Sequence, residues 1–223
     1  MRNEPPVRLT LKDGNNFVTA HVHVRLQRMK TNRLEAFSDG VFAIIITIMV
    51  LELKVPHDPD INALRPLLPI FLTYLLSFIY LGIYWNNHHH LLNVSCQISA
   101  GIMWANLHLL FWLSLFPFVT GWMGENHFQS IPSALYGGVL LMAALAYLIL
   151  QTLIIRLHGC DSKLARAIGS DLKGKLSFAL IVIAIGTSFF QPWIAGCIYI
   201  AVALMWLVPD RRVEKVLDSS STG

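Results

Sequence analysis

The feature that most constrains this chain is a succession of apolar runs of about twenty residues, each closed by prolines or by clustered charges. A helix of that length crosses the ~30 Å hydrocarbon core of a bilayer at about 1.5 Å per residue. A soluble core built from 223 residues could not hide so many such runs. Composition agrees, with 55% of residues apolar and only 13% charged, against roughly 25% charged in soluble domains. These observations select an all-α, polytopic membrane protein.

Reading for such runs gives six candidate transmembrane helices, at residues 37–53, 67–85, 98–120, 131–155, 176–190 and 193–208. Pro56, Pro59 and Pro66 mark the loop between the first two. The last two are short and separated only by Gln191-Pro192, so a tilted or re-entrant pair is the alternative. Residues 1–28 hold no apolar core of signal-peptide length, so the amino terminus is expected to be retained. Within it, residues 9–26 alternate weakly around Asp13-Gly14-Asn15-Asn16. A hairpin is one reading and a disordered cytosolic tail the favoured one, with Met29 a second candidate start.

The net charge of +4 is placed at helix ends, which argues against nucleic acid as a partner and for a membrane surface. Arg25, Arg28, Lys30, Arg33, Arg156, Lys163, Arg166, Lys173, Lys175, Arg211, Arg212 and Lys215 fall on one side of the six-span plan, and only Lys54 and Arg65 on the other. Twelve against two orients both termini to the cytoplasm of a cell-membrane protein. Cys96, Cys160 and Cys197 lack paired or metal-type spacing and read as reduced packing residues. The connector 156–175 carries candidate helix caps at Asp161-Ser162 and Ser170-Asp171, and Gly137-Gly138 reads as a close-packing point.

The first helix is the unusual one. Asp39 lies just inside its apolar run, and a carboxylate at the centre of a bilayer costs about 2.5–3.5 kcal/mol on insertion scales, less near the interface. Ser38 and Asp39 could cap the helix, with Arg33 an inner-leaflet anchor. A second polar cluster shifts the reading. The second run ends in Tyr84-Trp85-Asn86-Asn87-His88-His89-His90, on the same side as Asp39, and the third carries Asn106 and His108. Asp39 facing Asn or His on neighbouring helices would satisfy buried polar groups. Three adjacent histidines diverge by about 100° each on a helix and cannot converge on one ion. Hydrogen bonding is therefore preferred over a metal site, and no metal or other cofactor is expected.

The string Arg33-x-x-x-Phe37-Ser38-Asp39-Gly40 at the entry to a first membrane helix resembles the signature of the transmembrane protein 175 family, the endolysosomal potassium channels and their prokaryotic relatives. Trp85-Asn86-Asn87-His88, Trp104-Ala-Asn106-Leu107 and Pro117-Phe118-x-Thr120 extend the resemblance over residues 33–120, and the six-span plan carries it to about 208. The resemblance implies a potassium-selective cation channel. It also implies a homotetramer of six-helix units, with the pore lined by the first helix of each subunit. Residues 1–32 and 209–223 would then be cytoplasmic tails flanking a channel domain at 33–208. The constriction falls by family position on Ile44, the next layer on Thr47 and a further apolar ring on Leu51, with Ile48 beside them.

Helix geometry is compatible with that carry-over. Ile44, Thr47 and Leu51 have i, i+3, i+7 spacing and share a face, and Thr47 is the only polar residue between Gly40 and Leu51. A lone Thr in an apolar helix ordinarily bonds its own preceding carbonyl, and the aliphatic positions alone would read as packing or lipid-facing. Two other classes stay open. A proton-coupled small-solute transporter would use Asp39 and the nearby histidines, although no inverted repeat is evident. An intramembrane hydrolase would use Ser38, but Ser38 and Asp39 diverge on the helix and no nucleophile elbow is present. No phosphate-binding glycine loop is present, so flux would be passive.

Overall fold

The computed structural model describes the backbone of residues 14–56, 58–93, 95, 98–158 and 172–207, and side chains over 31–56, 58–93, 95, 98–157 and 173–207. Regular structure among the described residues is entirely helical. In order come α1 (Gly14–Leu51), a 3-10 segment (Ile61–Leu67), α2 (Leu68–Asn93), α3 (Ala100–Ser114), α4 (Phe116–Glu125), α5 (Ser130–His158), α6 (Leu172–Ser188) and α7 (Pro192–Leu207). Among the described residues, four stretches are long and apolar enough to cross a membrane: Thr31–Leu51, Ile61–Asn93, Ala100–Glu125 and Ser130–Leu157. The chain is a multi-pass membrane protein. The α6 and α7 helices, of 17 and 16 residues, reach only about 25 Å each at 1.5 Å per residue.

Local chemistry explains most of the boundaries. No Pro interrupts 15–51, and Gly40 is the only glycine there, so nothing stops α1 from propagating backward once its apolar half is formed. The described helix therefore runs without a break from Gly14, and neither a hairpin at 9–26 nor a disordered tail describes the chain from that residue on. The proline-marked loop is partly a 3-10 segment, which Asp60 starts by accepting from the Asn62 amide at 3.1 Å. Ser99 caps α3 in the same way, accepting from Ile102 N at 3.3 Å. The third span is not one straight helix. Pro117 has no amide to donate to the Leu113 carbonyl. The chain instead tightens at Leu115, whose amide bonds Trp112 O at 3.3 Å, and α4 carries the span on to Glu125.

Hydrogen bonds between helices set the direction of each. Ser38, His88 and Asn106 meet at one level of α1, α2 and α3. Ser77, Thr120 and Tyr136 meet at a second level of α2, α4 and α5, with Met49 of α1 beside them. The α1, α2, α3–α4 and α5 segments therefore alternate in direction. The α6–α7 pair is an antiparallel hairpin, tied by Trp206 Nε1 donating to Ser177 Oγ at 2.7 Å. It docks on α5 at Gly137, where a Cβ would fall 2.8 Å from Ile185 Cγ1 and against the Tyr199 hydroxyl. Gly137 is thus the expected close-packing point, whereas Gly138 has open space beside it. The caps expected at Asp161-Ser162 and Ser170-Asp171, and residues 209–223, lie outside the described residues.

Candidate functional site

The α1 helix divides cleanly into two faces. Ser38, Phe42, Ile45 and Met49 recur at i, i+4, i+7 and i+11 and are buried against the bundle, Phe42 and Met49 at 2% and 1% exposure. The opposite stripe of Arg33, Phe37, Gly40, Ile44, Thr47, Ile48 and Leu51 is exposed, Ile44 at 60% and Leu51 at 74%. Among the described residues no other helix covers Ile44, Thr47 and Leu51, and they project on one face over about 10 Å of helix. The Thr47 hydroxyl donates back to the Ala43 carbonyl at 2.8 Å. That uses its single proton and leaves oxygen lone pairs facing outward.

The buried face is held by a chain of side-chain hydrogen bonds. Ser38 Oγ donates to the Leu34 carbonyl at 2.9 Å and accepts from Asn106 Nδ2 at 3.0 Å. Asn106 Oδ1 in turn lies 2.7 Å from His88 Nε2. Because the amide nitrogen is committed to Ser38, His88 donates from Nε2, which leaves Nδ1 as the unprotonated, buried acceptor without a partner among the described residues. All three residues are fully buried, and the Phe42 and His88 rings pack at 5.8 Å. Ser38, His88 and Asn106 are thus brought together as the polar cluster suggested.

Other expected members go elsewhere. Asp39 is met neither by Asn nor by His: Trp85 Nε1 donates to its Oδ1 at 2.9 Å. The indole N–H reaches it because Trp85 lies just before the polar end of α2, and indole nitrogen can only donate. His108 leaves the cluster because Trp112, one turn on in α3, donates to its Nε2 at 2.9 Å. Asn87 contributes its carbonyl, which accepts from Tyr147 of α5 at 3.3 Å. Of the three adjacent histidines, His88 turns to α3, while His89 Nδ1 lies 2.8 Å from Glu35 Oε1 of α1. Sequence reasoning passed over Glu35, although its i, i+4 relation to Asp39 placed both carboxylates on one face.

At the opposite end of α1, Lys54 pairs with Glu125 at the end of α4. The hydrogen bond and charge of Glu125 hold the Lys54 ammonium above its ordinary pKa. Ser38 is poorly arranged for nucleophilic chemistry, since its proton points to the Leu34 carbonyl and His88 is occupied by Asn106.

The chain is similar to known proteins over most of the described helices. A family profile described as endosomal/lysosomal potassium channel TMEM175 matches residues 33–117. A potassium channel of Chryseobacterium sp. (strain P1-3) is 57% identical over 189 residues, covering 85% of this chain and 98% of the relative. A potassium channel of Streptomyces collinus (strain DSM 40733 / Tue 365) is 33% identical over 126 residues, 53% of this chain and 61% of the relative. Among solved structures, a lysosomal potassium-selective channel TMEM175 homolog from Chamaesiphon minutus superposes with a TM-score of 0.71 at 27% identity. That superposition covers 81% of this chain and 97% of that one.

Proposed function

Because this chain belongs to the endosomal/lysosomal potassium channel TMEM175 family, we propose that it is a potassium channel, passing potassium passively through a homotetrameric pore lined by α1. The observation that carries this reading is the two-faced character of α1. One side is locked into the bundle by Ser38, Phe42, Ile45 and Met49, while Ile44, Thr47 and Leu51 stay exposed among the described residues. Four such helices around an axis would close the exposed stripe on itself. Six membrane crossings, with both termini cytoplasmic in the cell membrane, suit that arrangement, as does the excess of Lys and Arg on the Asp39 side.

In this reading the rings of Ile44 and Leu51 narrow the path and close it by dewetting. The Thr47 ring offers oxygen lone pairs between them, since each hydroxyl proton is spent on its own helix. Partial replacement of water by hydroxyl oxygens favours the ion that dehydrates more cheaply, potassium over sodium. The Ser38–Asn106–His88 chain and the Trp85–Asp39 bond hold the helix in rotation and register. No cofactor or nucleotide is needed, and no enzymatic step is involved.

The test is reconstitution of the purified chain in planar bilayers under asymmetric potassium and sodium. Ohmic current reversing near the potassium potential is expected, and Ile44→Asn should raise leak and weaken selectivity. Saturable uptake that requires a proton gradient, with no ohmic current, would instead assign the chain to the proton-coupled transporters.

A further inference from the structure

His108 of α3 stands outside the network that holds α1, and only half of its ring is committed. Trp112 Nε1 donates to its Nε2 at 2.9 Å, and the two rings meet edge to face with centroids 6.3 Å apart. A ring nitrogen that accepts carries no hydrogen, so the imidazole N–H is at Nδ1. That donor has no hydrogen-bond partner among the described residues, and they do not enclose it. It opens on the outside of the bundle beside Trp104, Leu107 and Phe111, which are 73%, 40% and 55% exposed. His108 lies about 12 Å along α3 from the first residue of that helix, inside a stretch of membrane-crossing length. Lipid tails offer an N–H no acceptor, and a histidine within a span ordinarily turns to protein or to water. This face therefore calls for a polar partner at the depth of His108.

The α2 helix carries such a partner at the same depth. The His88–Asn106 bond fixes the relative height of the antiparallel α2 and α3. His108 comes two residues after Asn106 and Asn86 two residues before His88, so both stand about 3 Å outward of that level. The Asn86 side chain is exposed and has no hydrogen-bond partner among the described residues, and its Oδ1 can accept. Phe78, Gly82 and Asn86 recur at i, i+4 and i+8 on one face of α2. A Cβ on Gly82 would meet nothing, so a further helix can approach closely there. Within one chain His108 and Asn86 do not bond. The α1 helix packs against both α2 and α3, whereas these two touch each other little and so flank it. We propose that the α3 face around His108 docks on the α2 face around Asn86 of a second copy of this chain, with His108 Nδ1 donating to that Asn86 Oδ1. The proposal rests on the reading of α1 as the pore-lining helix of a homotetramer. A ring of four copies closes through heterologous contacts, in which each subunit presents two different faces. A donor on one flank of α1 and an acceptor at equal depth on the other meet that requirement.

The experiment is disulfide trapping in membranes, on full-length chains with Cys96, Cys160 and Cys197 replaced. His108→Cys and Asn86→Cys are placed singly on chains with different tags, expressed alone or together, and oxidised with copper–phenanthroline. Coexpression should give a crosslinked pair carrying both tags on a non-reducing gel, and either chain alone should give none. Absence of the mixed pair leaves the α3 face to lipid and overturns the interface. A pair formed as readily by one chain alone, the sign of a two-fold contact, overturns it too. Because Asn86 bonds nothing among the described residues, Asn86→Leu should keep the wild-type circular dichroism. It should also raise the concentration at which the detergent-solubilised tetramer dissociates by about tenfold or more, read by light scattering. An unchanged dissociation overturns the hydrogen bond. The mixed pair without potassium current in planar bilayers would sink the channel reading and leave the interface standing, and potassium current without the pair would do the reverse.

Discussion

Replacing Asn106 by Leu removes both links of the buried chain at once, the 3.0 Å bond to Ser38 and the 2.7 Å bond to His88. Ser38 keeps its bond to the Leu34 carbonyl and loses little. His88 is left fully buried with Nε2–H unpaired, beside an Nδ1 that already lacks a partner. An orphaned buried donor costs about 1–3 kcal/mol. Interhelical bonds in membranes average nearer 0.6 kcal/mol, because the separated helices find other partners. A loss of about 1–2 kcal/mol results, which lowers the melting temperature by roughly 2–8 °C for a chain of this size. The diagnostic comparison is the triple variant Ser38→Ala, His88→Phe, Asn106→Leu. It buries apolar groups of similar shape with nothing left unpaired, so it should melt within about 2 °C of wild type. Thermal melting of the detergent-solubilised protein, followed by light scattering or intrinsic fluorescence, reads both. A single variant as stable as wild type, or a triple variant as unstable as the single one, would refute the reasoning that an unsatisfied imidazole sets the penalty.

Gly137→Ala should destabilise by about 1–3 kcal/mol through overpacking, because its Cβ meets Ile185 and the Tyr199 hydroxyl, which is pinned to the Ser133 carbonyl at 3.1 Å. Gly138→Ala, with open space beside it, should be neutral or slightly stabilising in the same melting assay. Thr47→Val should leave melting unchanged, since the residue is exposed, while lowering single-channel potassium conductance by about threefold or more as hydroxyl oxygens are lost from the path. Lys54→Met should shift melting by no more than about 2 °C, as expected for an exposed pair. Because the Lys54 pKa is raised, its pairing is fully present below the unfolded value and is lost only as pH rises through the folded one. The small gap should therefore not change between about pH 6 and pH 8.

Length and apolarity made the four long helices legible, since a bilayer-length run allows few other outcomes. The meeting of Ser38 with His88 and Asn106 followed from three polar residues forced to one level of an apolar bundle. The sequence said less where two physical solutions were equally cheap. An acidic side chain accepts from an indole as readily as from an amide or imidazole, so Asp39 went to Trp85. His108 could be satisfied within its own helix, and one turn sufficed through Trp112. The break at Leu115 was signalled by Pro117, yet apolarity continues across it, so hydropathy alone ran one span through. The two faces of α1 could not be told apart by composition, because Ile44 and Ile45 are the same residue type. Only packing against α2, α3 and α4 distinguishes the buried one from the exposed one.

The central claim, that the exposed stripe of α1 faces an ion path, is tested most directly by thiol accessibility during current recording. Cysteine is placed singly at Ile44, Thr47, Leu51, Phe42 and Ile45 in a background with Cys96, Cys160 and Cys197 replaced. A water-soluble, positively charged thiol reagent should block potassium current through Ile44→Cys, Thr47→Cys and Leu51→Cys, and leave Phe42→Cys and Ile45→Cys unaffected. Stripe cysteines that conduct normally and stay unreactive to the aqueous reagent, yet react with a lipid-soluble one, would place that face against the bilayer and contradict the account.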